Sequence, residues 1–291
     1  MRTTTGELSG VSGVKLFYQG WLPDGDPVAR LFVSHGLNEH GGRYAPIAEA
    51  LAARGFAVWA LDQVGHGRSE GVRSYVERFD IFIDDTVTFM DCVPPANTTF
   101  VYGNSMGSTV ALRLAQRFPE RVDGLVLTGT ALLAGASIPR WLIAVGSLLS
   151  TVAPRLRVMA LPEGTLSHDP AVSAAIDSDP LVYTGKVTAR LGAELLRTMA
   201  DLLDNLQTIH TPMLIMHGSE DRLTDPRGSA LLYERAGAVD KTLKLWEGMY
   251  HEIHNEPAVK DAVIAMMGDW MAARLSLPRA RREEDGLQLG V

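Results

Sequence analysis

The sequence predicts an α/β fold: a mostly parallel sheet with helices on both faces, interrupted by a helical insertion. Three observations carry that expectation. Short, continuously apolar runs at residues 30–34, 56–61, 98–102, 125–128 and 213–216 alternate with stretches of helical spacing, the rhythm of strands buried between helices. These runs stop at His35-Gly36, Asp62, Ser105, Gly129-Thr130 and His217-Gly218, and in a parallel sheet the loops at the carboxyl ends of strands face ligands. One of those ends, Gly103-Asn104-Ser105-Met106-Gly107, is a G-x-S-x-G pattern lying between a strand and a helix.

Taken in order, residues 14–22 alternate, with Val14, Leu16 and Tyr18 on one side. They are expected as an antiparallel edge strand turned by Pro23-Asp24-Gly25-Asp26. A buried strand at 30–34 is followed by a helix at 44–54 through Ile47, Ala48, Leu51 and Ala52, ended by Gly55. A second buried strand, 56–61, leads into the loop Gly65-His66-Gly67-Arg68-Ser69. Residues 79–93 have helical spacing, broken by Pro94-Pro95. Strand 98–102 enters the G-x-S-x-G turn, helix 106–117 leaves it, and 125–128 is the next strand. The rhythm then fails. Residues 131–206 are helical in pattern, contain Pro139, Pro154, Pro162, Pro170 and Pro180, and hold no convincing strand. They are expected to cap a core made of residues 1–130 and 207–277. A strand at 213–216, a helix at 228–236, a strand at 242–246 and a helix at 259–275 resume the pattern. Residues 278–291 are charged and aperiodic and are expected to form a disordered tail.

Composition narrows the function. A chain of 291 residues with 46% hydrophobic and 21% charged residues can bury a large core. Its net charge of −7 argues against a nucleic-acid partner, since the only basic cluster is at residues 279–282. Cys92 is the single cysteine, which leaves neither an intramolecular disulfide nor a cysteine zinc site. It ends a helical stretch and is expected as a small core residue. Residues 1–13 lack the apolar run of a secretory signal, and no run reaches the length of a membrane span. The expectation is a cytoplasmic protein.

The G-x-S-x-G turn is where chemistry is expected. A serine on a tight strand-to-helix turn needs small neighbours, and the helix N-terminus aims N–H groups at a developing anion. An ordinary glycine-rich turn is the competing reading of the five letters alone. A serine hydroxyl needs a histidine to take its proton and a carboxylate to hold that histidine, here in the chain order Ser, acid, His. After Ser105, Asp221 is the best acid, in a loop just past strand 213–216, with Glu220 and Asp225 as alternatives. A carboxylate capping the next helix is the bland reading of that position. His251, in the loop after strand 242–246, is the best base, with His254 second. Two N–H donors must be preset for the oxyanion. Met106, after the nucleophile, supplies one, and Leu37, in the loop after strand 30–34, supplies the other. His35 is expected to hold that loop.

Six stretches then make the likeness specific. They are His35-Gly36-Leu37-Asn38-Glu39-His40-Gly41-Gly42-Arg43-Tyr44, Gly65-His66-Gly67-Arg68-Ser69, the serine turn, Ser178-Asp179-Pro180-Leu181, His217-Gly218-Ser219-Glu220-Asp221-Arg222-Leu223, and Tyr250-His251-Glu252-Ile253-His254-Asn255-Glu256. In this order, over residues 13–275, the chain resembles the monoglyceride lipase family of α/β-hydrolases. The resemblance implies an α/β-hydrolase fold and the triad Ser105, Asp221 and His251. It also implies that Glu39, Arg43 and His254 lie near a pocket for a glycerol head group. From the residues alone, Glu39 and Arg43 read equally as a solvated pair. The chain departs from the family in having Asn104 and Ser108 where histidine and glycine are usual around the serine, and Val64 where arginine is usual.

The expected activity is therefore a serine ester hydrolase that cleaves monoacylglycerol to fatty acid and glycerol through an acyl-enzyme. A general carboxylesterase or lysophospholipase with the same triad is the alternative. A non-catalytic binding protein on this scaffold would be expected to lack a triad member. No metal or organic cofactor is implied. The partner is a small acyl ester. Residues 138–153, rich in Leu, Ile, Val and Ala and uncharged apart from Arg140, are expected as a cap helix that lines an acyl pocket and makes transient contact with a lipid or membrane surface, with a cap helix packed on its neighbours as the bland reading.

Overall fold

The computed structural model describes residues 1–135, 149–160, 162 and 164–275. Its main sheet contains β1 (Arg2–Ser9), β2 (Lys15–Leu22), β3 (Ala29–Ser34), β4 (Phe56–Leu61), β5 (Thr99–Asn104), β6 (Gly124–Thr128), β9 (Met213–Gly218) and β10 (Lys241–Trp246). Two short strands, β7 (Arg157–Met159) and β8 (Val187–Thr188), form a separate antiparallel ribbon. The helices are α1 (Ala45–Ala53), α2 (Asp80–Cys92), α3 (Met106–Arg117), α4 (Pro170–Ser178), α5 (Ala189–Asp204), α6 (Pro226–Arg235) and α7 (Lys260–Ala272).

The main sheet runs β1-β2-β4-β3-β5-β6-β9-β10. The two pairings at the β1 end are antiparallel and the rest are parallel. Side chains alternate across it with period two. Leu31, Val33, Phe100, Tyr102, Val126, Leu214 and Met216 face one layer, which holds Ile47 and Leu51 of α1 and Val263 and Met267 of α7. Phe32, Val101, Leu125, Leu127 and Ile215 face the other, with Phe82 and Phe89 of α2 and Val110 and Leu114 of α3. Both faces are buried, which is why these strands read as continuous apolar runs. Strand order reverses around β3, which lies between β4 and β5. The pairs Val33–Tyr102 and Ser34–Gly103 set the carboxyl ends of β3 and β5 side by side. That reversal point is where sheets of this kind bind ligands.

Several expectations need correction. The strand at 14–22 is not an edge, because β1 pairs with it along its whole length from Arg2–Leu22 to Ser9–Lys15. β1 was hidden because only Leu8 of its residues is buried, so it has no hydrophobic period to detect. The inserted segment does contain strands, β7 and β8, too short to show an alternation. Cys92 is exposed at the end of α2, not a core residue. Most of the apolar helix expected at 138–153 lies outside the described residues, apart from a helical piece at 149–152. The tail at 278–291 also lies outside them. Among the described residues no helix is long and apolar enough to cross a membrane.

Candidate active site

Ser105 stands on the turn between β5 and α3 with φ 54° and ψ −124°. A non-glycine residue there carries strain of roughly 1–3 kcal/mol, held only when its surroundings over-determine it. They do so here. The Ser105 N–H donates to the Thr128 carbonyl at 3.1 Å, and its own carbonyl accepts the Ser108 N–H at 2.9 Å. The flanking glycines are required by contact. A Cβ on Gly107 would lie 1.9 Å from the Ser34 carbonyl oxygen, and one on Gly103 would lie 2.4 Å from the Gly107 oxygen.

The two unusual residues at this turn are structural ties. Ser108 Oγ donates to the Ser105 carbonyl at 2.5 Å and accepts the Ala131 N–H at 2.9 Å. Asn104 Oδ1 accepts from Thr128 Oγ at 2.9 Å. Both side chains lock the turn to the exit of β6.

The loop after β3 is fixed by buried polar groups. His35 donates from Nδ1 to the Gly36 carbonyl at 2.8 Å and accepts the Gln63 N–H at Nε2 at 3.0 Å. Burial lowers its pKa to about 4, so it is a neutral prop for the loop. The Gly36 N–H donates to Glu39 Oε1 at 2.5 Å. Between these ties the Leu37 N–H donates to no acceptor among the described residues. The Met106 N–H begins α3, where no preceding turn can accept it. Leu37, Ser105 and Met106 line one cavity.

His251 and Asp221 meet beside the cavity that Ser105 lines. His251 Nδ1 donates to Asp221 Oδ2 at 2.6 Å, which leaves Nε2 of the neutral ring as a base. Burial opposes protonation of His251, but the Asp221 carboxylate, aided by Glu252 and Glu39, outweighs it and raises the pKa. Burial alone would raise Asp221; His251 and His217 reverse this and hold its pKa well below the usual carboxylate range. Of the alternative acids, Glu220 is exposed. Asp225 caps α6, accepting the Arg227 N–H at 2.9 Å, so the capping reading belongs to Asp225 rather than Asp221. His251 lines the same cavity as Ser105. Ser105 Oγ itself makes no hydrogen bond among the described residues, and such contacts often tighten only when substrate is bound.

Glu39 and Arg43 are not a solvated pair. Arg43 binds Glu39 and forms a fork to Glu252 at 2.9 and 2.8 Å. The Tyr44 hydroxyl donates to Glu39 at 2.6 Å, and Asn255 donates to Glu252 at 2.7 Å. Burial would raise both carboxylates, but Arg43 outweighs it, lowering Glu39 and taking Glu252 to about 2. Glu39, Arg43 and Glu252 line the cavity. His254 does not. It stacks on Tyr44 with ring centroids 5.4 Å apart, and its Nδ1 is 3.3 Å from the Tyr102 hydroxyl, behind the cavity wall. Glu252, His217 and Thr224 had been given no role. Their only signal in the sequence was their place inside runs containing His251 or Asp221.

The cavity has a volume of about 800 Å³, within the range of small-molecule sites. Its polar lining includes Asn38, Glu39, Arg43, Asn104 and Glu252, and its apolar wall includes Val158, Ile176, Leu195, Leu196 and Met199. That wall comes from the inserted segment, which is tied to both loops beside the serine. His40 Nε2 donates to Asp179 at 2.8 Å, and the Tyr183 N–H donates to the Asn38 carbonyl at 2.8 Å. The Glu252 N–H donates to the Leu166 carbonyl at 2.7 Å, and Glu256 accepts the His168 N–H at 3.2 Å. Among the described residues no group of three His, Cys, Asp or Glu is placed to hold a metal ion.

The sequence and the fold have counterparts in known proteins. A sequence profile described as serine aminopeptidase, S33, matches residues 25–258. A monoacylglycerol lipase from Mycolicibacterium smegmatis is 35% identical over 271 residues, 92% of this chain and 96% of that protein. The Homo sapiens monoglyceride lipase is 35% identical over 272 residues, 92% of this chain and 90% of that protein. The crystal structure of a Paleococcus ferrophilus monoacylglycerol lipase superposes with a TM-score of 0.82 at 26% identity, over 94% of this chain and all of that one.

Proposed function

The chain belongs to the monoglyceride lipase family of α/β-hydrolases, and from that membership we propose that it hydrolyses monoacylglycerol to fatty acid and glycerol through an acyl-enzyme on Ser105. It is a serine hydrolase acting on esters. The observation that carries the reading is the shared cavity. Ser105 on its strained turn and His251, held from behind by the buried Asp221, line one space, whose walls include the charged side chains of Glu39, Arg43 and Glu252 and apolar side chains of the inserted segment.

In this reading Ser105 Oγ attacks the ester carbonyl carbon while His251 Nε2 takes its proton. Asp221 holds the Nδ1–H and stabilises the imidazolium. The Leu37 and Met106 N–H groups receive the charge on the carbonyl oxygen. Collapse of the tetrahedral intermediate breaks the ester C–O bond, and His251 returns its proton to the departing glycerol oxygen. Water then gives a proton to His251 and adds to the acyl carbon, and collapse releases the fatty acid and restores Ser105. Residues 131–206 act as a cap whose apolar side chains hold the acyl chain and touch lipid surfaces. Glu39 and Arg43 bound the head-group end, with His254 supporting them from behind.

The test joins labelling to a rate panel. Ser105 should be labelled by a fluorophosphonate probe, and Ser105→Ala should lose ester turnover by several orders of magnitude while keeping its melting temperature. Monoacylglycerols should be turned over faster than lysophospholipids or short p-nitrophenyl esters. Near-wild-type turnover by Ser105→Ala would end the mechanism, and a preference for lysophospholipid would move the substrate.

A further inference from the structure

Asp221 does not serve one histidine. Its Oδ2 accepts from His251 Nδ1 at 2.6 Å, from His217 Nε2 at 2.9 Å and from Thr224 Oγ at 2.8 Å. Its Oδ1 accepts the N–H groups of Leu223 and Thr224 at 2.8 and 3.1 Å. The His217 and Asp221 side chains are both fully buried. His217 Nδ1 is 2.7 Å from Ser229 Oγ on α6, so the ring is held at both nitrogens. A carboxylate oxygen only accepts, so His217 Nε2 must carry a proton.

We propose that His217 is a positioning residue for the reaction: its Nε2–H fixes Asp221 Oδ2 and draws off part of the negative charge that would otherwise act on His251. The inference rests on the triad reading above. His217 and Thr224 donate to the oxygen that must stay on the His251 Nδ1–H axis through each cycle. A donor hydrogen bond to a carboxylate also spreads its charge and weakens its hold on any other proton. Removing that donor should strengthen the pull on His251 and raise the pH at which it becomes a free base. The other charged groups acting on His251 are Glu252 and Glu39, and Asp225 faces His217. None of these is altered in the test.

Two substitutions separate positioning from mere packing. His217→Gln places an amide nitrogen near the Nε2 position and keeps a donor toward Asp221. His217→Asn places one near Nδ1, keeps the Ser229 contact and loses the Asp221 donor. Hydrolysis of a p-nitrophenyl ester is followed from pH 5 to 9. His217→Asn should lower kcat about tenfold with little change in KM and move the acid limb of kcat/KM up by about half to one pH unit. His217→Gln should stay within about threefold of wild type with its limb unmoved. Identical profiles for the two variants, or a wild-type profile for His217→Asn, would overturn the proposal. A long-range proton–nitrogen NMR spectrum of the wild-type protein gives a second reading if the variants do not fold. It should show His217 protonated at Nε2, and a bare Nε2 would overturn the proposal. Asp221→Asn serves as the control: if it keeps full turnover, the triad reading itself fails, whereas its inactivity alongside an unmoved His217→Asn profile defeats only the role of His217.

Discussion

Arg43→Met isolates what the buried charge cluster contributes. The substitution keeps most of the side-chain volume and removes the cation held between Glu39 and Glu252, whose side chains are 6% and 3% exposed. Breaking a buried pair by removing one partner costs about 3–5 kcal/mol, because the charge left behind has neither water nor a counter-ion. Here two carboxylates are left, so the upper part of that range is expected at pH 7.5. The pH dependence follows from the shifts. In the wild type both carboxylates titrate below their ordinary value of 4.5, Glu252 at about 2. The stability they gain is present above 4.5 and is lost only as pH falls through the folded values. In the variant, burial is opposed mainly by the neutral donors Tyr44 and Asn255 rather than by a cation, and the carboxylates take up protons more readily. Its deficit should therefore shrink by about 1–2 kcal/mol between pH 7.5 and 5. Urea unfolding followed by tryptophan fluorescence at both pH values measures this. Adding Glu252→Gln should recover at least half of the loss. A deficit below about 1 kcal/mol at pH 7.5, or an equal deficit at both pH values, would refute the reasoning.

Three further outcomes are expected. Gly107→Ala forces a Cβ to within 1.9 Å of the Ser34 carbonyl oxygen, so it should cost about 3 kcal/mol or more and lower the melting temperature by many degrees; an unchanged melting curve would contradict the tight turn. Ester hydrolysis should fall as pH drops through a His251 pKa above its ordinary 6.5, since the base must be neutral; a plateau extending below pH 6 would count against that base. Asp225→Ala should cost about 1 kcal/mol through the lost cap on α6 and leave kcat intact, while Asp221→Asn should remove most of kcat with little loss of fold; the reverse pattern would exchange their roles.

The strand-loop-helix rhythm was legible because buried parallel strands are apolar on both faces, and β3, β4, β5 and β9 are. β1 was not, since its residues face water and its place is set by pairing with β2 rather than by any pattern of its own. The positions of Ser105, Asp221 and His251 could be read because each lies just past a strand end in a fixed order. The partnership of Arg43 with Glu252 could not. Glu39 and Arg43 are one helical turn apart and look like a surface pair until Glu252, 209 residues further on, closes the cluster and buries it. His217 was hidden for a similar reason. In the sequence it is the last apolar-flanked residue of a strand, and only side-chain geometry shows that its Nε2 reaches the same oxygen as His251.

The segment between β6 and β9 is tied to the loop holding Leu37 through His40–Asp179 and Tyr183–Asn38, and to the loop holding His251 through Leu166–Glu252 and His168–Glu256. It is therefore not an exchangeable module. A chimera that imports the segment from a relative to alter chain-length preference must also bring an acceptor for His40 and a donor for the Asn38 carbonyl. It must bring an open carbonyl for the Glu252 amide as well. Without them the graft would loosen both loops at once, and a swap intended to change selectivity would be read as a loss of rate on every substrate.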